Sequence, residues 1–274
     1  MVLAYNQRLL DRVGAPVPQT LEELTGISLA AAQQRVVEFG ISLNLAPKVF
    51  TNLPWWGLVY ASGGRLATME GPDPAAVAVL EWLRDASAVT RVIDPNFASA
   101  TYDTLSLERT MFAIVGAHVL RRLNQTAPGT FSAAPVPGIT GPLGTVAWTP
   151  LYSVATNAPH PTMAADLVQF LGGPGPAGDF ATARFWLKHE GLIPAYRAML
   201  MQADVQASLA GWMDPEILTN ILTGARAIEH QWERWFLTWE HAMQAQVQAA
   251  IFGDKPAEAA LASSENLARN LATG

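Results

Sequence analysis

The sequence has 274 residues, half of them hydrophobic and 15% charged, with a formal net charge of -6. That composition excludes a disordered chain. The absence of cysteine excludes disulfides, zinc–thiolate centres and cysteine nucleophiles.

There is no basic block, since Arg121 and Arg122 form only a local pair. Nucleic acid is therefore not expected as a partner, because phosphate binding needs clustered Lys and Arg. The longest apolar run, Met111–Leu120, is broken by Gly116 and His118 and falls well short of the ~18 residues of a membrane span. The stretch Met1–Gly14 turns polar too soon for a secretion signal. As it stands, the chain reads as unexported and cytoplasmic.

In chain order, Tyr5–Gly14 reads as a short helix closed by Gly14. Pro16 and Pro18 force an extended passage. Thr20 with Glu23 three residues on has the capping-box spacing, and the helix that follows is expected to run to Gly40. Residues 41–51 are expected to hold a short strand, and Pro54 opens a helix ended by Gly63 and Gly64. Asp73 before Pro74 starts an amphipathic helix, with Val77, Leu80, Trp82 and Leu83 toward a core.

Met111–Val115 reads as a buried strand, and a helix resumes at Ala117. The Pro- and Gly-rich stretch 129–156 reads as two strands, near 131–135 and 146–155. Helices follow at 160–171 and 179–190. One long helix is expected from Ile228 to Gly253, and a terminal helix after Lys255. Helices dominate and strands are few, an α/β reading with a sheet under-supplied for the chain length.

Two aromatic clusters stand out. Trp55 and Trp56 are adjacent, and neighbours on a helix point about 100° apart. Either that helix is buried all round, or one ring faces something other than the protein's own core. Trp232, Trp235 and Trp239 follow i, i+3, i+7 and share a helix face. Trp212 and Asp214 place an aromatic beside a carboxylate. Trp82 and Trp186 read as core.

Catalysis and cofactors find no support. Glu229-His230, Glu240-His241 and His189-Glu190 are neighbours whose side chains diverge on a helix. No His-Glu-x-x-His, Gly-x-Ser-x-Gly or Gly-x-x-x-x-Gly-Lys run is present, so no metal and no cofactor is expected. A pair of glycosidase carboxylates separated in sequence is not revealed by spacing.

The order of these signals resembles the extracellular solute-binding proteins of ABC transporters, the family that includes maltose- and other sugar-binding proteins. LAYNQRLLDRVGAPVPQTLEEL is similar to that family's Tyr-Asn, short helix, Gly, Pro-x-Thr, helix entry. PWWGLVYASGG is similar to its aromatic helix before Gly-Gly. TMFAIVGAHVLRRL is similar to its Ala-Met-x-x-x-Gly-x-Trp stretch, departing at Thr110 and His118. FSAAPVPG, YSVATNAPHPTMAADLVQFL, GLIPAYRAML and AAIFGDKPAEAALASSENLARNL resemble the remaining segments in order. Each motif is short and degenerate; their succession along nearly the whole chain carries the resemblance.

The resemblance implies a type II periplasmic-binding-protein-like α/β architecture. In that family the Tyr-Asn segment follows a signal peptide and most of the first lobe, whereas here Tyr5 is almost the first residue. A helix-rich second lobe with an incomplete first lobe is therefore expected. The second lobe would comprise 1–125 and 188–274, and 126–187 would return toward the first. Strands near 131–155 would then lack partners, and with an uncovered apolar face would invite self-association.

The resemblance further implies a sugar or oligosaccharide ligand in an aromatic-lined cleft, an ABC permease as partner, and a periplasmic or extracellular location. It places Trp56, with Trp55, on the cleft-lining helix, and His118 where the family carries a cleft aromatic. Trp148 is expected at the cleft edge, and Trp235 or Trp239 on a cleft-facing helix. Trp212 and Asp214 complete the expected ligand-binding set. Asn52 and Tyr60 are weaker candidates. Three other readings stay open: a fragment without independent function, a protein-interaction module using the same aromatic face, and a carbohydrate-active enzyme.

Overall fold

The computed structural model describes residues 1–46, 53–98, 100–148, 152–175 and 178–274. Asn52 and the middle of the expected 146–155 strand lie outside them.

The chain begins with strand β1 (Val2–Asn6), all five residues buried, where a helix was expected from Tyr5. A strand covered on both faces shows no polar alternation, so its period is silent in the sequence. Asn6 then caps helix α1 (Gln7–Val13), accepting from the Leu9 N–H, and Gly14 closes it at φ 73°. Thr20 and Glu23 form the expected capping box on α2 (Leu21–Gln33). This helix stops seven residues before Gly40. Arg35 turns the backbone left-handed at φ 56°, and the chain enters β2 (Phe39–Ser42). Gly40 is therefore a strand residue. A Cβ there would lie 2.1 Å from the Ser28 Cβ, so only glycine lets β2 pass α2 this closely.

Helix α3 (Leu53–Ala61) is buried on every side from Pro54 to Ala61. Asp73 caps α4 (Pro74–Ala88) by accepting from the Ala75 and Ala76 N–H groups. Helix α5 (Thr101–Ser106) precedes β3 (Thr110–Val115), which is buried throughout as expected. After α6 (Ala117–Thr126) come β4 (Phe131–Ala134) and β5 (Thr145–Ala147). Helices α7 (Pro161–Gly172), α8 (Ala181–Glu190), α9 (Arg197–Leu200), α10 (Ala203–Ala210) and α11 (Pro215–Thr223) lead to β6 (Ala225–Ala227). The expected long helix from Ile228 begins only at Phe236 as α12 (Phe236–Ile251), because His230 sits at φ 59° and bends the chain. Helix α13 (Ala257–Thr273) ends the chain.

Among the described residues the main sheet has the order β2-β3-β1-β4, with β2 parallel to β3 and β1 antiparallel to β3 and β4. Alternate residues feed two cores, one on each face. Leu3, Tyr5, Phe112 and Ile114 join α2, α3, α4, α12 and α13 on one side. Val2, Ala4, Ala113 and Val115 join α6 and the helices of 187–221 on the other.

The expectation of unpartnered strands does not hold. Ala4 of β1 is registered with Ala133 of β4, and Val146 of β5 with Arg226 of β6. The second expected strand is also shorter, because residues 152–155 carry no strand. Pairing of β5 therefore draws on a segment eighty positions away, which sequence pattern does not reveal.

One part of the chain is different. From Tyr152 to Trp186 no described residue is buried. Helix α7 points Met163, Leu167 and Phe170 into solvent, and Phe170 is 72% exposed. Phe185 and Trp186 continue this apolar surface on α8; Trp186, expected in the core, is exposed instead. Trp82 is half-buried, packs on the first core and donates its indole N–H to Thr25 Oγ1 at 2.9 Å.

Candidate functional site

The two aromatic clusters of the sequence meet in one. Trp56 of α3 lies 6.0 Å from Trp239 of α12, edge to face at 68°, and 5.6 Å from Tyr60. Phe236 packs on both Trp56 and Trp239. Trp239 continues to Trp235 at 6.3 Å and 84°, and Trp235 stacks on His230 at 5.4 Å. Such offset and T-shaped contacts are the preferred geometries of aromatic pairs. The column runs from the first core out to a half-buried Trp235 and His230, with Trp232 70% exposed beside them.

Burial separates the expected ligand-binding residues. Trp55, Trp56 and Trp239 have no solvent exposure, so in this conformation they present no face to a ligand. The Trp239 indole N–H donates to the Ser264 carbonyl at 3.0 Å, whereas those of Trp55 and Trp56 have no partner among the described residues. The adjacent-tryptophan puzzle is thus answered by a helix buried all round.

Trp235, Trp148 and His118 reach the surface, and contacts of Met1 link the end of β3 that His118 follows to the separate β5–β6 ribbon that Trp148 follows. β2 and β3 run parallel, and His118 follows the carboxyl end of β3. Val115 is registered with Val2, so Met1 lies at the same end. Met1 donates its amine to the Val146 carbonyl at 2.7 Å and accepts from Thr145 Oγ1 at 3.0 Å. β5 and β6 are parallel, with Ala147 opposite Ala227. Trp148 and the 228–235 segment therefore leave the same end of that ribbon. The carboxyl ends of parallel strands are where open α/β sheets bind ligands.

His118 folds back over Gly116, where a Cβ would stand 2.5 Å from its Cε1. Surrounding protein pushes its imidazole below the ordinary value, and Glu190 opposes this. A neutral imidazole that both donates and accepts results near neutral pH. Burial lowers the Met1 ammonium to about 5. The Tyr60 phenol is pushed up to about 12, chiefly by desolvation. It stays protonated and donates to the Ala227 carbonyl at 3.2 Å. Arg226 lies over the Tyr60 ring at 4.2 Å, so α3 fixes β6 by a hydrogen bond and a cation–π contact.

Trp212 and Asp214 are not part of this assembly. Trp212 packs on the second core, across the sheet from the aromatic column. It lines a small cleft with Arg121, Asn124, Lys188 and Ser208. The Asp214 carboxylate caps α11, accepting from the Glu216 N–H at 2.8 Å. Its role beside Pro215 is that of an N-cap.

Sequence reasoning did not single out Glu265, which is buried and bonded to backbone in the loop 67–69. It sits in a helical run of Ala, Ser and Glu that reads as a solvated face. No cluster of three or more potential metal ligands occurs among the described residues. None of their helices is long and apolar enough to cross a membrane.

Solved structures with this architecture are numerous. A maltose-bound MalE3 of T. maritima superposes with a TM-score of 0.76 at 18% identity, covering 99% of this chain and 70% of the other. The GacH receptor of Streptomyces glaucescens, solved unliganded and with acarbose, gives 0.77 at 17%, covering 98% and 68%. A solute-binding protein of Thermotoga lettingae bound with α-D-tagatose gives 0.76 at 18%, covering 98% and 69%. The chain has the fold of the type II periplasmic binding proteins.

The shared fold covers 98–99% of the chain, while about 30% of each neighbour's length has no counterpart here. No family model matches the sequence, and no curated protein matches it either. At identities of 17–18% the likeness establishes the fold alone. The neighbours named were solved with maltose, acarbose or α-D-tagatose bound.

Proposed function

We propose that the chain is the sugar-recognising part of a binding protein that serves an ABC permease outside the cytoplasmic membrane. What supports this reading is the aromatic column that surfaces at Trp235 and His230, together with His118 after the carboxyl end of β3 and Trp148 after β5. Aromatic faces pack on the apolar C–H faces of a pyranose, while imidazole and backbone groups bond its hydroxyls. Structural neighbours bound to maltose, tagatose and laminaribiose support a sugar as ligand.

In this reading Trp148, Trp235 and His118 touch the ligand, while Trp55, Trp56 and Trp239 form the rigid base behind them. Residues 1–125 and 188–274, with β4 and β5 attached, constitute the second lobe. The arm 152–186 belongs to the returning part of the first. A ligand held by one lobe keeps much of its surface in water, so the dissociation constant is expected in roughly the millimolar range, about -4 kcal/mol.

Titration calorimetry with maltose, laminaribiose and tagatose tests this. A saturable heat with one sugar, lost in Trp235→Ala or Trp148→Ala and retained in Trp186→Ala, supports the reading. No saturable heat up to high millimolar sugar, or a heat lost only with Trp186, contradicts it.

The apolar surface of α7 and α8 favours a second reading, in which the chain associates through that face. Sedimentation velocity across a hundredfold range of protein concentration separates the two.

A further inference from the structure

We propose that Glu265 is a positioning residue for the ligand-facing aromatic pair His230–Trp235, acting through the loop 64–71; the step from that pair to a sugar rests on the reading above. The Glu265 side chain leaves α13 and is 3% exposed. Its carboxylate accepts from the Ala67 N–H at 2.9 Å, the Met69 N–H at 2.7 Å and the Thr68 hydroxyl at 3.1 Å. Ala67 and Met69 both hold left-handed backbone, at φ 56° and 62°. That conformation is costly for a non-glycine residue and persists only where the surroundings hold it in place. The carboxylate is what imposes it, aided one turn along α13 by Arg269, which donates twice to the Met69 carbonyl at 2.8 and 2.6 Å.

The loop so fixed is tied to the site segment by two further contacts. Arg65 makes a fork with the Glu229 carboxylate at 3.1–3.3 Å. Arg226 donates to the Gly64 carbonyl at 3.1 Å. Glu229 immediately precedes His230, whose own left-handed turn sets the ring against Trp235. The same turn of α13 also holds the inner end of the column, because the Ser264 carbonyl accepts from Trp239. Helix α13 thus grips the aromatic column at its base and, through Glu265 and the loop, at its surface.

The chemistry is that of a fixed acceptor array. A carboxylate offers only lone pairs, matching three donors that converge from one loop. Glutamine at 265 keeps the shape but turns one oxygen into an N–H donor facing N–H donors. The loop then loses its left-handed geometry, and Arg65 no longer meets Glu229 in register.

The test uses the whole chain labelled with 5-fluorotryptophan and read by fluorine NMR, together with maltose titrations. Glu265→Gln and, separately, the exposed-site variant Arg65→Met are compared with the parent. Both are expected to shift or broaden the Trp235 resonance while leaving exposed Trp186 and half-buried Trp82 unmoved. Both are expected to raise the maltose midpoint roughly two- to thirty-fold, and the double variant to add nothing beyond the stronger single one. If Glu265→Gln does not fold, Arg65→Met alone decides. An unmoved Trp235 resonance in a folded variant overturns the proposal. The resonance shift is read without sugar, so absence of maltose binding by the parent counts against the sugar reading and not against the positioning role.

Discussion

The body of the molecule and its 152–186 arm are built from similar amphipathic helices but stand in different surroundings. Helix α4 carries an apolar face and buries it, with Val79, Leu80 and Leu83 among α12, α13 and the sheet. Helix α7 carries Met163, Leu167 and Phe170 on one side and buries none of its residues. Amphipathicity states what a helix can cover. Only tertiary context decides whether anything covers it. The body reads as a completed two-sided sandwich and the arm as a surface, which is why functional expectations attach to different chemistry in each.

The largest contrast is expected from truncating one aromatic in each region. Trp56→Ala removes a fully buried ring at the centre of the column and is expected to cost about 3–5 kcal/mol in urea unfolding. Phe170→Ala, in the arm, is expected to cost no more than about 0.5 kcal/mol. Equal losses would mean that the arm is packed after all.

Next comes pH. The Met1 amine has a folded value of about 5 against an unfolded 8.0. Between those values the unfolded chain holds the proton and the folded chain does not, so stability rises as pH climbs from 5 to 8 and the penalty is full below 5. The lowered His118 adds in the same direction. The melting temperature of a chain whose free amine is Met1 should therefore rise across that window. Acetylating the amine should remove most of the slope. A slope unchanged by acetylation would assign it elsewhere.

A smaller effect sits at α2. Thr20→Ala deletes the hydroxyl that accepts from the Glu23 N–H at 3.1 Å and is expected to cost about 1 kcal/mol. The smallest thermodynamic effect should accompany cleavage of the arm. Chymotrypsin is expected to cut first between Tyr152 and Trp186, where no described residue is buried. First cuts at Phe112 or Phe236 would invert the comparison.

Much of this fold was legible in the sequence where the signal is local. The Thr20–Glu23 box, the Asp73–Pro74 start, the Gly14 stop and the Met111–Val115 strand all rest on neighbouring residues, and all are present. Non-local pairing was not legible. Val2–Asn6 hides as a strand because both its faces are covered, and β5 finds β6 across most of the chain's second half. At the site, sequence spacing grouped Trp235 with Trp239 and set Trp55 beside Trp56. It did not show that the two groups touch, nor that Trp56 and Trp239 would lie wholly inside. Glu265 was invisible because two of its three partners are backbone groups, which leave no mark on residue identity, and the third, Thr68, lies nearly two hundred positions away.

The most direct test of the central claim is hydrogen–deuterium exchange of the chain with and without saturating sugar. Binding at the carboxyl ends of the parallel strands predicts slowed exchange in 116–121, 145–148 and 226–236, with the arm 152–186 unchanged. Protection confined to the arm, or no protection with any sugar that calorimetry shows to bind, would contradict it.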